Sequence, residues 1–362
     1  MRQIYFRKVC LFWTITMTVV AIQSCRYPSG DAIQIDARDN TFQFKDKLSD
    51  YGFFKDQLID LQPNENIVKY DLSTPLFTDY AEKDRFIALP KGTSMRYNST
   101  GILDFPDSTI IIKNFAYHNE AHQKIMIETR LLVKDPADSQ WKVMNYLWNK
   151  EQTDAIKHLT GAKLPITLLD HHDNKISTVY VVPNTNDCKR CHINNNVLTP
   201  IGPKKARNLN FVLAGQSENQ LRQWAAIGIL SGLSDTTKVA VLPNWKDDKH
   251  FSIEERARAY LDMNCAHCHI AGGDAFNTGL FLDYEQTDKS HLGIFKSPVS
   301  AGNGAGGLNY DIVPGDAAHS ILAYRMNSTA AGIAMPELAR TIIDKEGVQL
   351  IKTWINQMSV QK

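Results

Sequence analysis

The hydrophobic pattern in the first half of the chain is that of β-structure. Short apolar runs rich in β-branched residues are separated by turn residues such as Pro90-Lys91-Gly92. In residues 124–133, Ile125, Ile127 and Leu131 fall on one face of an extended chain. This pattern predicts an antiparallel sandwich or a barrel-like sheet. The predicted strands are residues 85–89, 93–98, 109–115, 124–133, 141–148, 166–169 and 176–182.

Helical patterns with capping signals dominate the second half. Ser217-x-x-Gln220 and Ser252-x-x-Glu255 have the form of a capping box, in which each end of the motif satisfies a backbone donor of the first turn. The last predicted helix follows Asp344 and places Val348, Ile351 and Trp354 on one face. The predicted helices are residues 217–229, 253–263, 317–326 and 345–357, and a weaker helical run occurs at 42–61.

Charge gives little indication of a polyanionic partner. The 362 residues carry 40 Lys and Arg against 39 Asp and Glu, for a formal net charge of +1. Such a balance argues against nucleic acid or an anionic membrane surface as a partner. The length leaves room for two domains with a sizeable core.

The N-terminus has the features of an export signal. Arg2, Arg7 and Lys8 precede an apolar segment at 9–22, which is too short for a confident membrane span. Residues 22–25 resemble a bacterial lipobox, with Gln23 as a departure. We therefore expect residues 1–25 to be a lipoprotein-type signal, Cys25 to carry the lipid, and the protein to be exported and membrane-anchored, facing the periplasm or the cell exterior. Plain secretion is the alternative.

Two pentapeptides carry the clearest chemistry in the chain. Cys188-Lys189-Arg190-Cys191-His192 and Cys265-Ala266-His267-Cys268-His269 both read C-x-x-C-H, the attachment signature of c-type haem. In such a site two thiols bond the vinyl groups of the porphyrin, and the following histidine binds the iron. The sequence predicts two covalently attached haems, with His192 and His269 as proximal ligands. We expect His267 to face away from the iron and to be solvated.

Zinc and a redox disulfide are the competing interpretations of these cysteines. A zinc ribbon places its two C-x-x-C pairs about 15–20 residues apart, whereas Cys191 and Cys265 are much further apart in the sequence. A thioredoxin-like pair requires no trailing histidine. Apart from Cys10 and Cys25 in the leader, every cysteine belongs to one of the two motifs, so none remains for a structural disulfide.

The C-terminal part resembles a class I cytochrome c domain. The resemblance lies in the helix before Cys265, the C-A-H-C-H motif, the Met335-Pro336 segment and the amphipathic last helix. It implies that Met335 is the distal ligand of the second haem. Met326 is a weaker rival because it ends a predicted helix. Ordinary packing is the alternative role for Met335, since methionine often fills gaps in cores.

These observations together predict an α+β multidomain protein. Residues 26–245 form a mainly antiparallel β domain, with the first haem motif and a trailing helix at its end. Residues 246–362 form an all-α domain of the class I cytochrome c type with the second haem.

The mature chain as a whole resembles a family of bacterial two-haem c-type cytochromes that are predicted lipoproteins. The residues that carry this resemblance are Leu72-Ser73-Thr74-Pro75-Leu76-Phe77-Thr78-Asp79-Tyr80, Lys113-Asn114-Phe115, Glu128-Thr129-Arg130-Leu131-Leu132-Val133 and Tyr146-x-Trp148-Asn149. The resemblance implies haem binding and electron transfer, with a redox protein as partner. It implies no substrate.

The sequence leaves several candidates for the distal ligand of the first haem. The chain has no methionine between Cys191 and Met263. The iron could also be five-coordinate and open to a small ligand. The candidate ligands elsewhere in the sequence are Met126, Met144, His118, His122, His158, His171 and His172.

Three functions are consistent with these features. The first, which we favour, is an electron carrier without catalytic activity of its own. The second is a di-haem peroxidase-like or oxidase-like enzyme with an open first haem. The third is an electron-accepting module for a separate dehydrogenase.

Overall fold

A computed structural model describes residues 41–98, 100, 102–170, 172–203 and 205–359. The predicted signal at 1–25, with the proposed lipid anchor Cys25, lies outside these residues, and so does His171. Among the described residues, no helix combines the length and the apolar composition needed to cross a bilayer.

Strands contribute more of this structure than helices, with 26% of residues in strands and 22% in helices. In the described residues the largest sheet has six antiparallel strands in the order β10-β9-β8-β7-β4-β3, and there are four smaller sheets of two or three strands. The strands are β1 (Phe54–Lys55), β2 (Gln62–Pro63), β3 (Ile67–Tyr70), β4 (Glu82–Ala88), β5 (Met95–Tyr97), β6 (Leu103–Asp104), β7 (Ile110–His118), β8 (Lys124–Lys134), β9 (Trp141–Trp148), β10 (Ala155–His158), β11 (Ala162–Leu169), β12 (Lys175–Val182), β13 (Ile193–Asn194), β14 (Val197–Leu198) and β15 (Leu230–Ser231).

The six-stranded sheet is buried on both faces, which explains the continuous apolar run at the start of β7. Ile110 and Ile112 pack into one core cluster with Tyr51 and other residues of the 42–61 segment. Ile111 points to the opposite face and packs into a second cluster. Alternate residues of a strand face opposite sides, so both sides of this strand must be apolar.

The helices lie mainly in the second half of the chain. Four of them begin at residues whose side chains accept hydrogen bonds from the first turn, namely Asn184, Asn219, Ser252 and Asp344. The α-helices are α1 (Thr185–His192), α2 (Gln220–Ala226), α3 (Ile253–Asn264), α4 (Ile321–Met326) and α5 (Lys345–Gln357).

Most of the predicted elements are confirmed. A strand occupies each predicted run, and α3 and α5 begin at the predicted caps. The helix predicted at 42–61 is wrong, because Gly52 and Leu61 have positive φ and divide this segment into short 3₁₀ turns and strands. The helix predicted from Ser217 begins two residues later than expected, with Asn219 as its N-cap.

The predicted fold class is wrong in its C-terminal part. Within residues 246–359 the structure contains α3, α4 and α5, but no all-α domain of the cytochrome c type is evident. The glycine-rich segment between α3 and α4 forms turns and short 3₁₀ helices, because glycine disfavours a continuous helix. In addition, Ala259 and Met263 of α3 pack into the same core cluster as Ile111 of the sheet.

Candidate cofactor cavity

Both C-x-x-C-H segments line a single cavity of about 500 Å³. Such a volume is within the range of small-molecule and cofactor sites, about 300–1,000 Å³. One wall is the face of the six-stranded sheet that carries Ile111, Leu132 and Val143. All of the predicted haem-binding residues contribute to the lining, namely Cys188, Cys191, His192, Cys265, Cys268, His269 and Met335.

The first motif lies on a capped helix, α1. The Asn184 side chain accepts from the backbone N–H of Asp187, and the Asp187 carboxylate accepts from that of Asn184. This cap fixes the start of α1 directly after β12. Cys188 is thereby buried against β9, with its Sγ 3.9 Å from Oδ1 of Asn145. Burial raises the pKa of the Cys188 thiol.

His192 is held in the tautomer that a metal ligand requires. Its Nδ1 lies 2.8 Å from the carbonyl oxygen of Thr199, and its own carbonyl accepts from the Thr199 N–H at 2.7 Å. A carbonyl can only accept, so Nδ1 carries the proton and Nε2 keeps its lone pair. Burial lowers the pKa of His192 to about 4, so the imidazole is neutral at physiological pH.

The second motif follows α3. Cys265 is the C-cap of that helix, and burial raises the pKa of its thiol to about 12. His269 is held by its backbone, whose carbonyl accepts from the Leu282 N–H at 2.9 Å, and its Nδ1 lies 3.5 Å from Oγ1 of Thr278. Burial lowers the pKa of His269 to about 4. Both motif histidines are therefore neutral and available to a metal.

Three side chains from the two motifs converge at one point. A sulfur or nitrogen atom from each of Cys191, His267 and Cys268 lies within 4.8 Å of the others. The Cys268 thiol and nearby His267 lower the pKa of Cys191, and the same contact with Cys191 raises the pKa of Cys268. His267 lines the cavity with its Nδ1 buried, so the expectation that it is solvated is wrong.

Backbone contacts and ion pairs lock the two motif regions together. The Asn195 N–H donates to the carbonyl of Gly272 at 2.8 Å. Arg190 lies 3.1 Å from Asp274 and 3.4 Å from Glu337, which follows Met335 and its proline. Residues of α1, of the loop after Cys268 and of the Met335 segment thus form one connected wall.

Met335, the predicted distal ligand of the second site, lies in the same cavity as both motifs. It lines the cavity, and its N–H donates to the carbonyl of Arg325 at 3.1 Å. Its rival Met326 also reaches the cavity, but it is only 5% exposed and packs in a core cluster with residues of α3 and α5 such as Leu261 and Ile351. Core packing therefore explains the presence of Met326, and Met335 is the thioether that is available as a ligand.

The candidate ligands considered for the first site lie elsewhere. None of the six that fall within the described ranges lines the cavity. Met126 and Met144 pack on the opposite face of the sheet. His118, His122, His158 and His172 lie near Glu82, Asp173, the Gly161 carbonyl and Glu346, respectively.

Sequence reasoning missed two cations on the sheet wall of this cavity. Lys113 on β7 and Arg130 on β8 are cross-strand neighbours and both line it. Their signal was present in the sequence, since each interrupts an apolar strand at an interior position. A charge at such a position is rare unless it is paired or functional.

Four thiols, two neutral imidazoles and a thioether in one cavity suit a c-type haem site in the chemistry of the donors. Thiols bond the porphyrin, and imidazole or thioether binds the iron. Comparison with protein-family profiles, curated proteins and solved structures found no match to this chain. The resemblance to two-haem cytochromes therefore stays a prediction.

Proposed function

We propose that this chain binds two haems through its C-x-x-C-H motifs and transfers single electrons to or from a protein partner. One observation carries the proposal: two motifs far apart in the sequence line one cavity, where Cys191 and Cys268 are adjacent. Bound haem would supply a one-electron iron couple. Neighbouring attachment thiols favour electron exchange between two such groups.

The residues of the cavity have separable tasks in this proposal. Cys188 and Cys191 would hold one porphyrin, and Cys265 and Cys268 the other. The Thr199 carbonyl keeps His192 in the tautomer that offers Nε2. Met335 would supply the second ligand to the iron of the haem at Cys265, where a thioether raises the reduction potential relative to a second imidazole. The apolar residues of the sheet wall exclude water.

Intact-protein mass spectrometry tests the proposal directly. Material matured with a cytochrome c assembly system should carry the mass of two porphyrins. The double substitutions C188A/C191A and C265A/C268A should each remove one. A full chain with no added porphyrin mass would refute the proposal. The substitution M335A should then lower the potential of the haem at Cys265 and leave that of the other unchanged.

A single metal ion at Cys191, His267 and Cys268 is the second candidate. Two thiolates and one imidazole with an open fourth position form a known class of zinc site. The convergence of these three donors within 4.8 Å favours it. Elemental analysis of the same sample distinguishes the two, because stoichiometric zinc without porphyrin would support only the metal site.

Export and anchoring are also proposals. The lipobox-like sequence supports attachment of a lipid at Cys25, which would place the protein on a membrane facing the periplasm or the cell exterior. Labelling cells with a radioactive fatty acid should mark the protein and not the C25S variant. Label in both proteins would refute lipidation at Cys25.

A further inference from the structure

Lys113 belongs to a row of cations on the sheet face that forms the cavity wall. Across the strands, Arg85 of β4 lies opposite Lys113, and Lys113 lies opposite Arg130 of β8. Directly opposed side chains share a face and lie close together, where like charges repel. Each cation in such a row therefore needs a neighbouring group that offsets the repulsion between the positive charges.

Two members of the row have carboxylate partners. Arg85 donates to the Asp71 carboxylate, and Arg130 Nε donates to Oε2 of Glu128 at 3.1 Å. In contrast, no carboxylate among the described residues forms an ion pair with Lys113, whose Nζ lies 5.0 Å from the centre of the Phe115 ring. Lys113 is the uncompensated member of the row.

An unpaired ammonium in such a place is costly, and losing the proton removes the cost. Burial and the neighbouring cations Lys83, Arg85 and Arg130 lower the pKa of Lys113 well below its ordinary value, and the Glu128 carboxylate, which pairs with Arg130, offsets this only in part. A neutral amine has a lone pair, and a nitrogen lone pair is a good ligand for iron.

Lys113 also lies on the wall next to the first motif. The row continues from Arg130 to Asn145 of β9, whose side chain contacts Cys188. Two strand spacings, or about 10 Å, separate the backbones of β7 and β9, and the Lys113 charge is close enough to His192 to help lower the pKa of that imidazole. Two other nitrogen donors in the lining have neighbours of their own: His267 lies with Cys191 and Cys268, and Lys296 lies 3.7 Å from the Asp311 carboxylate.

We propose that the Lys113 amine is the sixth ligand of the iron held by His192. This inference rests on the proposed function, since it needs a haem at Cys188 and Cys191. It makes the first iron six-coordinate. The chain is then an electron carrier with two closed haems, and not a peroxidase-like enzyme with one open site.

Low-temperature EPR and near-infrared magnetic circular dichroism of the ferric holoprotein test the ligand. Wild-type protein should give two low-spin signals, one with an amine–imidazole charge-transfer band. K113A should convert that signal to high spin and should bind added imidazole. K113M should restore a low-spin signal with a thioether band. K83A removes a neighbouring lysine that donates to the Leu76 carbonyl at 2.8 Å and should leave the wild-type spectrum unchanged.

K113R separates ligation from charge. Arginine keeps the positive charge but does not give up its proton to become a ligand. It should therefore be high-spin like K113A. A wild-type spectrum in K113R would overturn the proposal and assign Lys113 to a porphyrin carboxylate instead. Loss of the low-spin signal in H267A, but not in K113A, would also overturn the proposal, because it would make His267 the ligand.

The wild-type spectrum keeps the proposal falsifiable even if the variants do not fold. Absence of an amine–imidazole band from the wild-type protein overturns the ligand assignment on its own. Mass spectrometry of the same sample reports whether two porphyrins are attached. A sample with both porphyrins and no amine–imidazole band refutes Lys113 ligation alone, whereas a sample without porphyrin refutes the proposed function.

Discussion

Asp79 connects the Met335 segment to the rest of the molecule, and its replacement gives a sharp test of the structure. The carboxylate is 1% exposed. Its oxygens accept from the backbone N–H groups of Thr341 and Ile342, each at 2.9 Å, and from Thr341 Oγ1 at 2.8 Å. Residues 339 and 340, just before this anchor, line the cavity.

The expected cost of Asp79→Ala follows from these contacts. Thr341 Oγ1 keeps a second partner in Thr178 at 3.1 Å, so two backbone donors lose their acceptor. A buried unsatisfied donor costs about 1–3 kcal/mol, and these two are partly buried, so we expect a loss of about 2–3 kcal/mol in unfolding free energy. Domains are stable by only about 5–15 kcal/mol. Asp79→Asn retains one acceptor oxygen and should therefore lose less than Asp79→Ala.

Urea denaturation of the holoprotein measures this loss, and Asp170→Ala is the matched control. Asp170 also accepts from two backbone N–H groups, those of His172 and Asn174, at 2.8 and 2.9 Å. Those donors lie in an exposed turn, where water can replace the carboxylate, so the control should lose about 1 kcal/mol or less. Equal losses in the Asp79 and Asp170 variants would refute the argument from burial.

Two further predictions follow from the motif regions. A Cβ at Gly272 would lie 2.2 Å from Oδ1 of Asn195, whereas a Cβ at Gly215, which has nearly the same positive φ, would meet open space. Gly272→Ala should therefore lower the unfolding free energy by about 1–3 kcal/mol more than Gly215→Ala does, as measured by chemical denaturation. Equal losses would contradict the packing of the two motif regions. Folding lowers the pKa values of His192 and His269 from 6.5 to about 4, so the unfolded chain binds more protons between these values. The unfolding free energy should be at its plateau above pH 6.5 and should fall as the pH drops toward about 4. A flat profile over this range would contradict the burial of the two imidazoles.

The sequence predicted the local elements well because their causes are local. Alternation and β-branched residues define β7 and β8, and capping residues fix the starts of α3 and α5. The predicted all-α domain failed because a motif, a methionine segment and one amphipathic helix do not determine the chain between them. Its glycine-rich part forms turns, and α3 packs toward the sheet.

By itself the sequence determined which residues are predicted to carry cofactor chemistry, since C-x-x-C-H spacing is a property of five neighbouring positions. Only the tertiary structure decided that Cys191 and Cys268 are adjacent and that Lys113 shares their cavity. The reason is physical: these residues lie on separate elements, and their approach depends on which face of the sheet the α1 and α3 regions cover. Burial on that face also set the pKa values of both histidines, which no local pattern encodes.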